Sequence, residues 1–124
     1  MRVLICGGRD FTDKKLFHKT MIEIDPSTDE QKLGDPELVV IHGGAKGADL
    51  LADEWAVVNW KSIERYLPDY KRYGPKAAPV IRNQEMIDGG KPDLVIAFPG
   101  GRGTADMVRR AKKANIPVKE ITNE

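Results

Sequence analysis

Residues 38–56 read LVVIHGGAKGADLLADEWA, and this stretch decides the fold class. Leu38–Ile41 is continuously apolar, the pattern of a parallel strand buried on both faces. Gly43, Gly44 and Gly47 interrupt it. Ala48, Leu51, Ala52, Trp55 and Ala56 then fall at i, i+3, i+4, i+7 and i+8, the stripe of an amphipathic helix. Alanines dominate that stripe, so it is narrow and suited to close packing on a sheet, with Trp55 a core residue. Strand, glycine turn and helix together make half of a βαβ unit.

The same order recurs on either side. Val3–Cys6 and Leu94–Phe98 are further apolar strands, Val118–Ile121 is a weaker terminal one, and Ile63–Leu67 is a candidate fifth. Thr12 or Asp13 caps a helix toward Ile24 with Phe17 and Met21 on its apolar face. A third helix is expected from Pro79 to just before Gly89-Gly90, because proline suits a first helical position. A fourth is expected from an N-cap at Thr104 to about Asn115, with Pro117 beyond. Arg109, Arg110, Lys112 and Lys113 sit in its C-terminal half, where the dipole favours cations. Asp25–Pro36 reads as a polar surface loop and Pro68–Ala78 as a lid or binding loop. Strand–helix alternation predicts an α/β fold: a doubly wound, mostly parallel sheet of about five strands between two helical layers.

At 124 residues the chain has room for one domain, 1–124. Its 40% apolar and 31% charged residues are ordinary globular usage. A net charge of +1 removes the global basic field that drives non-specific nucleic-acid binding. The single cysteine, Cys6, allows no internal disulfide, and no Cys/His cluster offers a metal site. Its apolar neighbours make it a core thiol. No signal peptide and no apolar run near the roughly 20 residues of a bilayer span are present. The cytosol is therefore the default compartment.

Three strands are followed at once by glycines. These are Gly7-Gly8-Arg9, His42-Gly43-Gly44-Ala45-Lys46-Gly47 with Asp49, and Pro99-Gly100-Gly101-Arg102-Gly103-Thr104. Ligands of open α/β sheets bind at the carboxyl ends of strands. Glycine there lets backbone N–H groups approach a ligand, and the next helix N-terminus favours phosphate. Neither GxxxxGK[ST] nor a complete GxGxxG occurs. Arg82, read as lying near a helix start, would oppose the dipole by about 0.3–1 kcal/mol unless it meets an anion. Arg9, Lys46 and Arg102 flank the turns and make the region electropositive. Asp49 and Asp106 each read two ways: an acid favoured at a helix start, or a carboxylate beside a bound sugar hydroxyl. His42, at a strand end, is a candidate ligand contact.

The segments GGRDF, HGGAKGADLLADEWA, GPKAAPVIRNQEM and DLVIAFPGGRGTADM resemble the YspA-related branch of the SLOG superfamily, which is named after the Smf/DprA DNA-processing proteins and the LOG enzymes. The resemblance implies a Rossmann-like fold and a nucleotide-type ligand site. LOG enzymes are phosphoribohydrolases that release a free base from a nucleoside monophosphate. Pro99, Gly100, Gly101, Gly103 and Thr104 match their PGGxGTxxE motif, and Arg82, Glu85 and Met86 match their R-x-x-E-M-like segment. The motif's closing glutamate falls on Met107, with Asp106 the nearest carboxylate.

Three functions follow for test. One is a sensor or sequestering module for a nucleotide or phosphoribosyl ligand held by Gly7, Gly8, Arg9, His42, Gly43, Gly44, Lys46, Asp49, Gly100, Gly101, Arg102, Gly103 and Thr104. The second is a LOG-like hydrolase with Arg82 and Asp106 as its catalytic pair. The third is a DprA-like DNA-processing protein, against which near-neutral charge and 6% aromatic content count. None requires a cofactor. Leftover apolar helix surface and the LOG resemblance point to a homo-oligomer; nucleic-acid and membrane partners are not expected.

Overall fold

The computed structural model describes residues 1–26 and 34–122. The elements are β1 (Arg2–Cys6), α1 (Lys14–Ile24), β2 (Val39–His42), α2 (Ala48–Val58), β3 (Ser62–Arg65), α3 (Tyr70–Asp88), β4 (Leu94–Ala97), α4 (Arg102–Lys113) and β5 (Val118–Glu120). All five strands are parallel, in the order β3-β2-β1-β4-β5. The direction of chain progress reverses between β1 and β4, the switch point of a Rossmann-like sheet.

Alternation along the central strands divides the interior. Val3, Ile5, Val40 and Ile96 pack with Phe17 and Met21 of α1 and with Ala52, Trp55 and Ala56 of α2. Leu4, Cys6, Ile41, Val95 and Ala97 pack with Met86 and Ile87 of α3 and with Met107, Val108 and Ala111 of α4. A strand covered on both faces has no polar side, which is why these segments are continuously apolar. Each fully buried aliphatic side chain contributes about 1.5–3 kcal/mol.

Three expectations change. Pro68–Ala78 is not a loop, because α3 begins at Tyr70, capped by the Asp69 carboxylate accepting from Arg72 N at 3.0 Å. One turn later Gly74 breaks the helix at φ 79°, ψ 172°, and Pro75 opens the second stretch. Proline disfavours helical ψ in the residue before it, and glycine tolerates the conformation that results. Arg82 therefore lies two turns into the second stretch rather than at a helix start, and the dipole argument for it fails. The fourth helix begins at Arg102 with Gly101 as N-cap; Thr104 is inside it. The Asp25–Pro36 segment falls largely outside the described residues, its positions 27–33 among them.

Candidate functional site

The three glycine turns follow β2, β1 and β4, which are neighbours in the sheet, so they meet at one carboxyl edge. Gly8 N donates to Pro99 O at 2.9 Å and Ala48 N to Gly8 O at 3.4 Å, joining the turns to one another. Between them, α3 and α4 lies a cleft of about 1540 Å³. Gly7, Gly8, Arg9, Gly43, Gly44, Asp49, Arg82, Gly100, Gly101, Arg102, Gly103, Thr104 and Asp106 all line it. His42 and Lys46 do not: His42 is buried behind the turn, and Lys46 is exposed outside it.

The glycines serve two purposes. A Cβ on Gly7 would lie 2.6 Å from the Ala48 Cβ, and one on Gly100 would lie 2.6 Å from Gly8 N. At Gly43 it would enter the Arg82 guanidinium. These are glycines because the turns pack on one another. Gly101 and Gly103 have nothing within 4 Å of that position, so there the missing side chain leaves the backbone open.

Hydrogen-bond accounting separates the turns further. Asp49 Oδ2 accepts from Gly43 N at 3.1 Å and from Ala45 N at 3.2 Å. Burial raises the Asp49 carboxyl pKa, against the pull of the Ala45 N–H, of His42 and Arg82, and of the Gly43 N–H. Gly44 N donates to His42 Nδ1 at 3.0 Å, which leaves His42 Nε2 to donate to Asp53 Oδ2 at 2.7 Å. Arg65 completes that chain, with Nε 2.6 Å from Asp53 Oδ2. The Gly43, Gly44 and Ala45 N–H groups of the β2–α2 turn are thus already engaged, and Asp49 and His42 hold its shape. Both α2 and α4 start at an N-cap glycine without a side-chain cap, Gly47 and Gly101. At α2 the Ala48 N–H is taken by Gly8 O and Gly47 packs against that carbonyl, whereas at α4 Gly101 and Gly103 face open space.

Arg82 and Asp106 face the same cleft and are linked through Asn83. Arg82 Nη1 donates to Gly43 O and, at 3.4 Å, to Tyr66 O; its Nε donates to Asn83 Oδ1 at 3.2 Å. Nη2 has no acceptor among the described residues. Burial lowers the Arg82 pKa from its ordinary value. Asn83 Nδ2 donates to Gly103 O at 3.3 Å and to Asp106 Oδ2 at 3.0 Å. Arg110 Nε, 2.8 Å from Asp106 Oδ2, and Arg109 Nη2 also hold that carboxylate. Desolvation works to raise the Asp106 pKa, but the bonds from Arg110 and Asn83 and the charges of both arginines outweigh it, and the net shift is downward. Met107, where the motif would carry glutamate, is buried in the α3–α4 core, and Glu85 is exposed away from the cleft.

Sequence reasoning missed Asn83 and Arg109, which line the cleft, as does Tyr70 from the segment read as a lid or binding loop. A signal existed for Asn83: it shares the apolar face of Met86 and Ile87 at i+3 and i+4, where a polar residue needs partners. Arg109 had been assigned to the helix dipole alone. Cys6 lies on the floor of the cleft as a buried thiol, pushed up to about 12 by burial and then by the charge of Asp49. Among the described residues, no helix is long and apolar enough to cross a membrane.

The YspA, cpYpsA-related SLOG family model matches residues 1–73, which carry β1 through β3 and two of the three glycine turns. The chain is also similar to the Gene 61 protein of Mycobacterium phage D29, at 40% identity over 127 residues, covering 94% of this chain and 93% of that protein. The match, the strand order and the turns meeting at the switch point agree: this chain belongs to the YspA, cpYpsA-related SLOG family.

Proposed function

We propose that the protein binds a phosphorylated, nucleotide-derived ligand at the carboxyl edge of its sheet, as a sensor or sequestering module. The observation that carries this reading is the start of α4. Its N-cap is glycine without a side-chain cap, and Gly101 and Gly103 open onto the cleft. Uncapped N–H groups at the positive end of a helix suit a phosphate. Arg9, Arg82 and Arg102 line the same cleft, and Arg82 Nη2 has no acceptor among the described residues. Family membership supports a nucleotide-related ligand.

Binding is better supported than LOG-like hydrolysis. Cleavage through an oxocarbenium-like state calls for a carboxylate facing the sugar. Met107 stands where that group would be, and Asp106 is held by Arg110, Asn83 and Arg109. A DprA-like role in DNA processing is disfavoured by the net charge of +1.

Titration calorimetry against nucleoside monophosphates, beside an assay for free base, tests the reading. Binding without base release is expected. Arg82→Ala is expected to weaken binding by about 1.5–3 kcal/mol, the scale of a hydrogen bond to a charged group. Release of free base with turnover would replace the binding reading with the hydrolase one; no binding of any phosphorylated compound would remove both.

A further inference from the structure

The cleft has a second kind of wall. Leu67, Tyr70 and Val80 are 67%, 48% and 44% exposed, and all three line it. They stand on the segment from the end of β3 into α3. Tyr66 N still pairs with His42 O at 2.9 Å, after which the chain leaves the sheet. Leu67 lies over Gly44, where a Cβ would collide with it. Asp69 caps the turn that carries Tyr70. Tyr73, in the same turn, has its ring covered by Arg72 at 5.1 Å. Among the described residues, neither an aromatic ring nor a cation stacks on the Tyr70 ring.

Exposed apolar side chains are ordinary when scattered, but three converging on one cleft mark a contact surface. This wall is small and contains one aromatic ring, which suits a single flat ring system better than an acyl chain. It shares its cleft with the uncapped α4 start, so a ligand using both has an anionic end and a planar apolar end. Tyr70 also lies close enough to Arg82 to interact with its charge, which ties the wall to the polar side of the cleft.

We infer that Leu67, Tyr70 and Val80 form a base subsite, with Tyr70 stacking on the nucleobase of a nucleoside 5′-phosphate. This rests on the phosphate reading above. Recognition by a ring face and aliphatic contacts is tolerant of base identity. The larger stacked area ranks purine ahead of pyrimidine.

The test is calorimetry on the full chain with adenosine 5′-monophosphate, cytidine 5′-monophosphate, adenosine and ribose 5-phosphate. In the wild type, adenosine 5′-monophosphate should bind about tenfold or more tighter than ribose 5-phosphate and tighter than the cytidine compound. Tyr70→Ala should remove that advantage and leave ribose 5-phosphate within about twofold, whereas Tyr70→Phe should keep it. Tyr70 is half exposed, so both variants are expected to fold, with circular dichroism as the check. Equal affinity for adenosine 5′-monophosphate and ribose 5-phosphate, or an unchanged Tyr70→Ala, overturns the base subsite while the phosphate reading stands. Adenosine binding as tight as adenosine 5′-monophosphate, weakened by Tyr70→Ala and without ribose 5-phosphate binding, keeps the base subsite and overturns the phosphate reading. No binding by any of the four overturns both.

Discussion

Replacing Asn83 with alanine tests the link between α3, α4 and the cleft. Three hydrogen bonds disappear: from Arg82 Nε at 3.2 Å, to Gly103 O at 3.3 Å and to Asp106 Oδ2 at 3.0 Å. The first two are at the long end of the usual range and count for little. The third involves a carboxylate and is worth about 1.5–3 kcal/mol. Gly103 O and Asp106 keep other bonds, whereas Arg82 Nε loses its acceptor among the described residues and the buried amide leaves a void, each adding a smaller cost. The expected loss is about 2–4 kcal/mol. Urea unfolding followed through the buried Trp55 reads it as a midpoint lowered by roughly 1–3 M at unchanged slope. Asn83→Asp should be worse at pH 7, because it sets a second carboxylate beside Asp106, and should recover as the pH falls. A cycle with Asp106→Ala should give a coupling of about 0.5–3 kcal/mol. A midpoint unchanged by Asn83→Ala, or zero coupling, would refute the reasoning.

Other variants probe the remaining groups. Asp49→Asn keeps an acceptor for the β2–α2 turn and relieves a desolvated charge, so stability at pH 7 should hold or rise; Asp49→Ala should lose about 1–3 kcal/mol in the same unfolding assay. Asp53, through its bonds from Arg65, and Asp106 have lowered pKa values. Their stabilisation is complete above the unfolded carboxylate value of about 4 and is lost as pH falls through the folded values. Asp49, raised, works the other way, its ionisation costing stability as pH climbs from the unfolded value through the folded one. The unfolding midpoint should thus drop on acidification below pH ~4, less steeply in Asp53→Asn. Cys6, at about 12, should resist a thiol reagent at pH 8 until urea unfolds the chain; rapid labelling of the native protein would contradict its burial. If leftover apolar surface drives self-association, Leu50, Val57, Val58 and Trp60, exposed along and just after α2, are where it should occur: light scattering at micromolar concentration should give a dimer or larger closed assembly, and Val57→Asp a smaller species.

The sequence by itself determined the layers and the edge that carries the site. Strand burial on both faces leaves a continuous apolar run, and glycine directly after such a run puts a turn at the carboxyl end. Both signals lie within a few residues of one another, so Leu38–Gly44 and Leu94–Gly101 were readable without tertiary information. The tertiary structure alone decided which strands are neighbours, and therefore that the three turns share one cleft. It also decided how their hydrogen bonds are spent. The Gly43 and Ala45 N–H groups look as open in the sequence as those at the start of α4. Only the approach of Asp49 and His42 engages the Gly43, Gly44 and Ala45 N–H groups, while Gly101 and Gly103 at α4 stay open to the cleft. Arg82 was misplaced for the same reason. Proline-rich composition around Gly74 and Pro75 reads locally as loop, but the Asp69 cap starts a helical turn at Tyr70, Gly74 breaks it and Pro75 opens the stretch that carries Arg82. Local propensity acts over one or two turns, whereas the partners of a buried polar group come from anywhere in the chain: Asn83 meets Asp106 and Arg82 meets Gly43 across long sequence separations, and folding alone brings them together.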